Sequence, residues 1–250
     1  MRHFSGIDLS KTRLKRKALG PSCELLGASR KTNAVALYVL GVLALAPVVL
    51  SQPSRGSSRK VLPVIRCQQE HTYWCWAASA QMIMSYHKLP VIKQCEQVKS
   101  RYPGPGYPDA SAACNPPPIT ASEDERKKYT DACDLPGWPE FEKWGFQVPS
   151  QTTRTGLSWD EIRNEIDNDR PFCFTKEWVN NPGHGHMLVV FGYEEVKGEQ
   201  FVRVWDPLPG RIKEMNLPYS KYQANVLPSP EDDPEPYFHW NDYYRINPKP

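Results

Sequence analysis

The hydrophobic and polar positions divide the chain into an early helical part and a later part rich in strands. Residues Trp74–His87 combine Ala, Met and aromatic residues without an internal Gly or Pro, which predicts a helix. A second helix is predicted from Ser158 to about Asn168, because Ser158 and Glu161 form the sequence pattern of a capping box. The charged stretch Ser122–Lys128 predicts a short exposed helix between them.

Strands are predicted where β-branched and aromatic residues alternate with clusters of Gly, Asn and Pro. These segments are Pro171–Lys176, His186–Tyr193, Gln200–Trp205, Arg211–Met215 and Tyr237–Ile246. An earlier strand or extended segment is predicted at Val61–Arg66. Helices followed by antiparallel strands with short turns predict an α+β fold with segregated halves.

The N-terminal part differs in charge from the rest of the chain. Residues 1–60 hold 11 Lys/Arg against 2 Asp/Glu, whereas residues 61–250 hold 20 against 26. Ala34–Leu50 is a run of seventeen residues without a charge, and the basic segments before it predict a signal peptide or signal anchor. Pro47 interrupts a run that is already short for a bilayer span, so cleavage of this segment stays open. A buried core helix is the alternative.

These patterns predict a basic leader at residues 1–33, the apolar segment at 34–50, a Ser/Arg/Gly linker at 51–60 and a folded domain at 61–250. Within that domain, residues 101–139 are rich in Pro and Gly and predict a surface insertion. We expect the folded domain to be exported, and to be either secreted or tethered to a membrane through the apolar segment.

Composition excludes several partners of the folded domain. With 40% hydrophobic residues in 250, the chain has enough material for a packed core. No cluster of Lys or Arg follows Lys60, so we expect no binding of nucleic acid. No CxxC pair and no spacing typical of zinc ligands occurs, so we predict neither a metal nor a cofactor.

The seven cysteines suit an exported protein, because disulfides form in oxidising compartments. With Cys23 and Cys75 set aside, we predict two bridges and one free thiol among the other five. Those five are Cys67, Cys95, Cys114, Cys133 and Cys173. Cys95, Cys114 and Cys133 bracket one loop-rich stretch and are favoured to pair, although spacing alone does not fix the connectivity.

A reactive thiol is predicted at Cys75, at the start of the first helix. The positive end of the helix dipole favours a thiolate over a thiol there. Gln69 lies six residues earlier, and its amide together with the Cys75 backbone N–H can donate to an oxyanion. A packed core thiol is the plainest alternative for a cysteine that stands between two tryptophans.

Two predicted strands supply candidate partners for this thiol. His186 begins the apolar stretch Met187–Phe191, which would hold it rigidly at the open end of a strand. His184 is a rival, because it would share the same sheet face. Asp206 ends the strand Phe201–Trp205, where its carboxylate can accept the imidazole Nδ1–H and leave Nε2 facing the sulfur.

The nucleophile segment resembles that of the papain-like cysteine peptidase superfamily. In that superfamily a Gln stands at the interval seen between Gln69 and Cys75, and a Trp follows the Cys as Trp76 does here. A Gly-His pair opening an apolar strand, here Gly185 and His186, is the second half of the likeness.

The resemblance covers roughly residues 61–246, and the insertion at 101–139 has no counterpart that matches. Asp206 followed by Pro207 is similar to the compact bacterial peptidases of the superfamily, which use Asp where many relatives use Asn. The effector-type peptidases that bacteria deliver into plant cells are nearest, and the bacteriocin-leader peptidases are next.

The resemblance implies a papain-like fold with a helical N-terminal half that carries the nucleophile and an antiparallel sheet that carries the His and the Asp. It implies hydrolysis of peptide bonds, with Cys75 as nucleophile, His186 as base, Asp206 as the orienting acid and Gln69 in the oxyanion hole.

Trp76, Trp178 and Gly185 are weaker candidates for contact with the substrate, and packing is the alternative for both tryptophans. We expect a protein or peptide substrate and a monomeric enzyme. The alternative functions are a catalytically inert papain-like binding module, and a transpeptidase or glutamine deamidase that uses the same thiol.

Overall fold

The computed structural model describes residues 57–103, 110–147, 149–210, 214–223 and 236–250. It is an α+β structure of helices and one antiparallel sheet. The helices are α1 (Cys75–Tyr86), α2 (Gln94–Arg101), α3 (Glu123–Cys133), α4 (Trp159–Asp167) and α5 (Tyr219–Tyr222). The strands are β1 (Ser58–Val61), β2 (Ser150–Gln151), β3 (Phe172–Trp178), β4 (Gly185–Val196), β5 (Glu199–Trp205), β6 (Met215–Pro218) and β7 (Tyr237–Tyr244).

Local chemistry explains where the helices begin. α1 has Trp74 at its N-cap without a side-chain cap, so burial stabilises this helix, and its first ten residues are all buried. α4 begins at the predicted capping box, in which the Ser158 hydroxyl accepts from the Glu161 N–H and the Glu161 carboxylate accepts from the Ser158 N–H. A second capping box, formed by Ser122 and Glu125, starts α3.

The strand order in the sheet is β2-β7-β3-β4-β5-β6, and β1 pairs with the far half of β4. β3 lies between β7 and β4, so it is covered on both edges and most of its side chains are buried. The start of β4 lies beside the end of β3, and the end of β5 lies beside the middle of β4. This edge of the sheet, where β4 begins and β5 ends, is where α1 packs against β4.

The predicted helices at α1 and α4 and the strands corresponding to β3, β4, β5 and β7 are confirmed. The first strand is earlier than predicted, because Ser58–Val61 pairs with β4 while residues 62–66 are irregular. The last three residues of the predicted linker therefore belong to the sheet. β6 at Met215–Pro218 follows the predicted strand at Arg211–Met215, of which residues 211–213 lie outside the described residues.

The prediction that residues 101–139 form a surface insertion is wrong, because part of this segment lies in the core. Ala110, Ala113, Cys133 and Leu135 from this segment are buried in the core. The short charged helix predicted at Ser122–Lys128 is real and extends further, to Cys133.

The predicted leader and apolar segment at residues 1–33 and 34–50 lie outside the described residues. Of the helices that the structure describes, none has the length and apolar character needed to cross a bilayer.

One disulfide of the predicted kind joins Cys95 at the start of α2 to Cys114. Cys133 and Cys173 form no disulfide and lie in the apolar core. Cys67 is disulfide-bonded, but to none of the other four, so the prediction of a second bridge among the five cysteines is wrong.

A buried polar network ties the loop before α4 and helix α5 to β7. His239 donates from Nδ1 to the Tyr222 carbonyl at 2.8 Å, and its Nε2 lies 2.9 Å from Asp242 Oδ2. Both ring nitrogens therefore have a hydrogen-bond partner in the protein interior. Asp242 also accepts from the Tyr222 hydroxyl at 2.5 Å and from the Leu157 N–H at 3.1 Å.

Asp242→Ala should destabilise the fold by about 3–5 kcal/mol, because it leaves the His239 ring, the Tyr222 hydroxyl and the Leu157 N–H without their shared buried partner. Tyr222→Phe removes one hydrogen bond from the same carboxylate and should cost only about 1–2 kcal/mol. Equilibrium unfolding in urea measures both free energies. Equal losses for the two variants would contradict a network that is centred on Asp242.

Candidate active site

Cys75 is the first residue of α1, and its sulfur lies beside the start of β4. The Met187 N–H donates to the Cys75 Sγ at 3.4 Å. The residue is 9% exposed, so the thiol lies at the boundary between the core and the surface. This contact fixes the sulfur beside the backbone of β4.

The imidazole of His186 lies between Cys75 and Asp206. His186 is the second residue of β4, and its Nε2 donates to Asp206 Oδ1 at 2.8 Å. The ring also makes a hydrogen-bond contact with the Cys75 side chain. Both the imidazole and the carboxylate are buried, so water does not compete for these bonds. The structure therefore brings Cys75, His186 and Asp206 together, with the imidazole between the other two side chains.

The ring is oriented opposite to the prediction, which gave Nδ1 to Asp206 and Nε2 to the sulfur. It is Nε2 that meets Asp206, and Nδ1 is left for Cys75. The position of the sulfur explains the difference. The Cys75 Sγ is bound to the backbone N–H of Met187, and Nδ1 is the ring nitrogen nearer to that backbone.

Asp206 is fixed by backbone groups as well as by His186. The Leu208 N–H donates to its Oδ1 at 2.8 Å, and the Arg66 Nε donates to its main-chain carbonyl at 2.7 Å. Arg66 also donates to the Leu208 carbonyl at 2.5 Å, which holds the turn after β5. The carboxylate is therefore preorganised to face the imidazole.

Charge and hydrogen bonding set the protonation states of the pair. Burial lowers the pKa of His186, but hydrogen bonds and negative charge from Asp206 and Cys75 outweigh it and raise that pKa to about 9. Burial raises the pKa of Asp206, but His186, the Leu208 N–H and the positive charge of Lys176 lower it to about 2. At neutral pH the site holds an imidazolium and a carboxylate.

Gln69 is buried in the loop before α1, with its amide turned into that loop. Its Nε2 donates to the His71 carbonyl at 2.8 Å and to the Thr72 carbonyl at 2.7 Å. Both amide protons are thus engaged, and the Oε1 atom is buried without a hydrogen-bond partner. The Cys75 N–H has no acceptor among the described residues, because it belongs to the first turn of an uncapped helix.

The other predicted site residues differ in their access to a substrate. Trp76 is only 1% exposed and its Nε1–H donates to the Leu135 carbonyl, so its ring packs in the core. Trp178 is half-buried at the end of β3. Gly185 is exposed, and a Cβ at this position would overlap the Lys176 carbonyl oxygen, so β3 and β4 can approach only over a glycine.

The rival histidine, His184, is exposed and precedes β4. Its backbone N–H donates to the Asn181 carbonyl and its carbonyl accepts from the Trp178 N–H, so it belongs to the turn between β3 and β4. His184 therefore lies outside β4, whereas His186 is the second residue of that strand.

Sequence reasoning missed two charged residues that shape the site. Lys176 is buried opposite His186 in the β3–β4 register, with its ammonium 4.1 Å from the centre of the Tyr237 ring. A lysine inside a predicted buried strand was the signal for it. Arg66 gave no such signal, because its contacts with the Asp206 turn span 140 and 142 residues of sequence.

One group of three potential metal-ligating side chains lies together among the described residues, formed by Cys95, Glu96 and Cys114. Two of its three atoms are the sulfurs of the disulfide, which leaves one carboxylate. The group belongs to α2 and the segment that follows it, and none of its members takes part in the contacts of Cys75 and His186.

The protonation states predict how stability depends on pH. The raised pKa of His186 stabilises the fold fully below about pH 6.5, and this contribution is lost as pH rises through about 9. The lowered pKa of Asp206 stabilises it above about pH 3.8, and this is lost as pH falls through about 2. Asp206→Asn should therefore cost about 2–3 kcal/mol between about pH 3.8 and 6.5, and less near pH 9. Urea unfolding across this pH range measures it, and a loss that is the same at every pH would contradict the ion pair.

The comparisons with known proteins agree with this geometry. None of the curated proteins compared with the chain matches it significantly. A family model described as the Peptidase_C39 like family matches residues 61–226, which include Cys75, His186 and Asp206. That family lies within the papain-like cysteine peptidase superfamily and suggests cysteine peptidase activity. The match spans more than half of the chain, which therefore belongs to the Peptidase_C39-like family.

Proposed function

We propose that the protein hydrolyses peptide bonds with Cys75 as the nucleophile, His186 as the base and Asp206 as the orienting acid. The observation that carries this proposal is the single imidazole that contacts both the Cys75 side chain and Asp206. An imidazolium beside a thiolate is the resting state that a cysteine peptidase needs, because the sulfur is already deprotonated when it attacks.

The two half-reactions use the same imidazole, which first gives a proton to the amine and then takes one from water. The Cys75 sulfur attacks the carbonyl carbon of the scissile bond, and the imidazolium of His186 gives its proton to the departing amine nitrogen. A water molecule then loses a proton to the neutral imidazole and attacks the thioester, which releases the acid and restores the thiol pair. Asp206 keeps the ring oriented throughout, because its carboxylate accepts from Nε2 in both protonation states.

The oxyanion would be held by the Cys75 N–H, which has no acceptor among the described residues, and by the amide of Gln69. For Gln69 to contribute, its Nε2 must exchange the His71 or the Thr72 carbonyl for the oxyanion. Such an exchange adds a donor only in the transition state, which is where stabilisation accelerates the reaction.

The fold and the compartment follow the same proposal. The position of Cys75 at the head of α1 and of His186 and Asp206 on the sheet supports the two-part layout of the superfamily. Asp206, in place of Asn, supports a relationship to its compact members, with the effector-type peptidases first and the bacteriocin-leader peptidases second. The Cys95–Cys114 disulfide supports export, with residues 34–50 as signal or anchor.

Cys75→Ala should lower turnover of a peptide substrate by at least about a thousandfold, and should abolish labelling by a thiol-directed epoxide. Cys173→Ala is the matched control, because it removes another free, buried thiol and should leave both readouts intact. Casein digestion and mass spectrometry of the labelled protein measure the two effects.

The same assay separates the alternatives. Absence of both cleavage and selective labelling in the wild-type protein would indicate an inert binding module. Selective labelling of Cys75 with products that carry an added amine, seen by mass spectrometry, would indicate a transferase instead of a hydrolase. Labelling of the Cys75→Ala protein at the same rate as the wild type would overturn the choice of nucleophile.

A further inference from the structure

Three consecutive residues at the end of α3 hold the segment that leads into Cys75. Asp134 accepts the Tyr73 N–H on Oδ1 at 2.7 Å and the Thr72 N–H on Oδ2 at 3.1 Å. On either side of Asp134, the backbone carbonyls of 133 and 135 accept the indole N–H groups of 74 and 76, at 2.9 and 3.3 Å. These three residues thus bind four of the five residues 72–76.

Asp134 is itself held in place by α3. It is the C-cap of that helix, and its N–H donates to the Thr130 carbonyl. One turn earlier, the Tyr129 hydroxyl donates to the Ala113 carbonyl at 2.7 Å. Ala113 is next to Cys114, whose disulfide reaches Cys95 in α2. A covalent bond therefore connects the support of Asp134 to a second helix.

That second helix, α2, binds the segment before Cys75 at its other end. The Gln94 Oε1 accepts the Glu70 N–H at 2.9 Å, and its Nε2 donates to the Gln68 carbonyl at 2.8 Å. Residues 68–76 are thus held at one end by α2 and at the other by Asp134. The Cys95–Cys114 disulfide connects α2 to the residues that hold the helix of Asp134.

Asp134 also fixes the carbonyl to which Gln69 is bound. The Thr72 N–H is held by Asp134, and the Thr72 carbonyl accepts the Gln69 Nε2 at 2.7 Å. Loss of the carboxylate would free the amides of Thr72 and Tyr73 and let this peptide rotate. The displacement would reach both the head of α1 and the Gln69 side chain.

We propose that Asp134 is a positioning residue for the nucleophile segment, which rests on the peptidase function proposed above. Residues 133–135, within the segment 101–139, then support the active site, although Asp134 does not contact the sulfur. Its carboxylate takes the place of two backbone acceptors that this loop lacks. Both oxygens are needed, since each accepts one of two successive N–H groups.

The test compares kcat and KM on one peptide substrate with the thermal unfolding midpoint, for three variants of the full chain. Asp134→Ala should lower kcat by about tenfold to a hundredfold with little change in KM, because the nucleophile is displaced while the rest of the cleft remains. Asp134→Asn keeps one acceptor oxygen and should give an intermediate loss. Asp131→Ala, which removes an exposed carboxylate from the same helix, should leave kcat unchanged.

Each outcome decides the proposal. A lower unfolding midpoint with an unchanged kcat, measured well below that midpoint, would show a structural role only and overturn it. Should Asp134→Ala fail to fold, the Asp134→Asn protein decides, and a wild-type kcat in that variant would overturn the proposal as well. A wild-type protein that cleaves no peptide and shows no selective labelling of Cys75 would instead refute the peptidase function.

Discussion

The hydrogen bond from the His186 imidazole to Asp206 is the interaction on which the site depends. It lies in the protein interior, where an unpaired charge is costly, so the two strands that carry its partners must keep a fixed register. β4 begins and β5 ends at the same edge of the sheet because the two are antiparallel neighbours. The sheet topology thus sets the distance between His186 and Asp206, and the Leu208 and Arg66 contacts hold the turn after β5 in place.

Cys75, the proposed nucleophile, is held by a different kind of structure. α1 is buried along most of its length and meets the sheet through Cys75 and Met187, so the sulfur position depends on the packing of a whole helix. The loop before this helix has little regular structure of its own, and side chains from distant segments supply its hydrogen-bond partners. The sheet and the hydrogen-bonded loop before α1 therefore meet at the imidazole of His186.

Much of this arrangement was predictable from local patterns, and the failures have physical causes. α1 and α4 were found because an uninterrupted Ala/Met run and the Ser158 capping box act within a few residues. α2 gave no signal, because the residues that it buries include Gln94 and Gln97, whose burial depends on hydrogen bonds rather than on apolar periodicity.

Long-range geometry was the other limit. The tryptophan beside Cys75 was a candidate for substrate contact, but Trp76 is covered by residues that a sequence cannot bring near it. The choice of ring nitrogen in His186 depends on which side of the imidazole the sulfur approaches, and spacing along the chain does not contain that information. Chain order and residue type predicted that Cys75, His186 and Asp206 lie together, whereas the orientation of the ring required coordinates.

The Cys95–Cys114 bridge sits in the same molecule as Cys75, a thiol that would have to stay reduced to act as the proposed nucleophile. A reductant added to restore an oxidised Cys75 would also attack this bridge, because thiolates exchange with any disulfide that they reach. Under the proposed function, activation by a reducing agent would therefore have an upper limit as well as a lower one. Too little reductant would leave Cys75 oxidised, and too much would break the covalent link between α2 and the segment that binds α3.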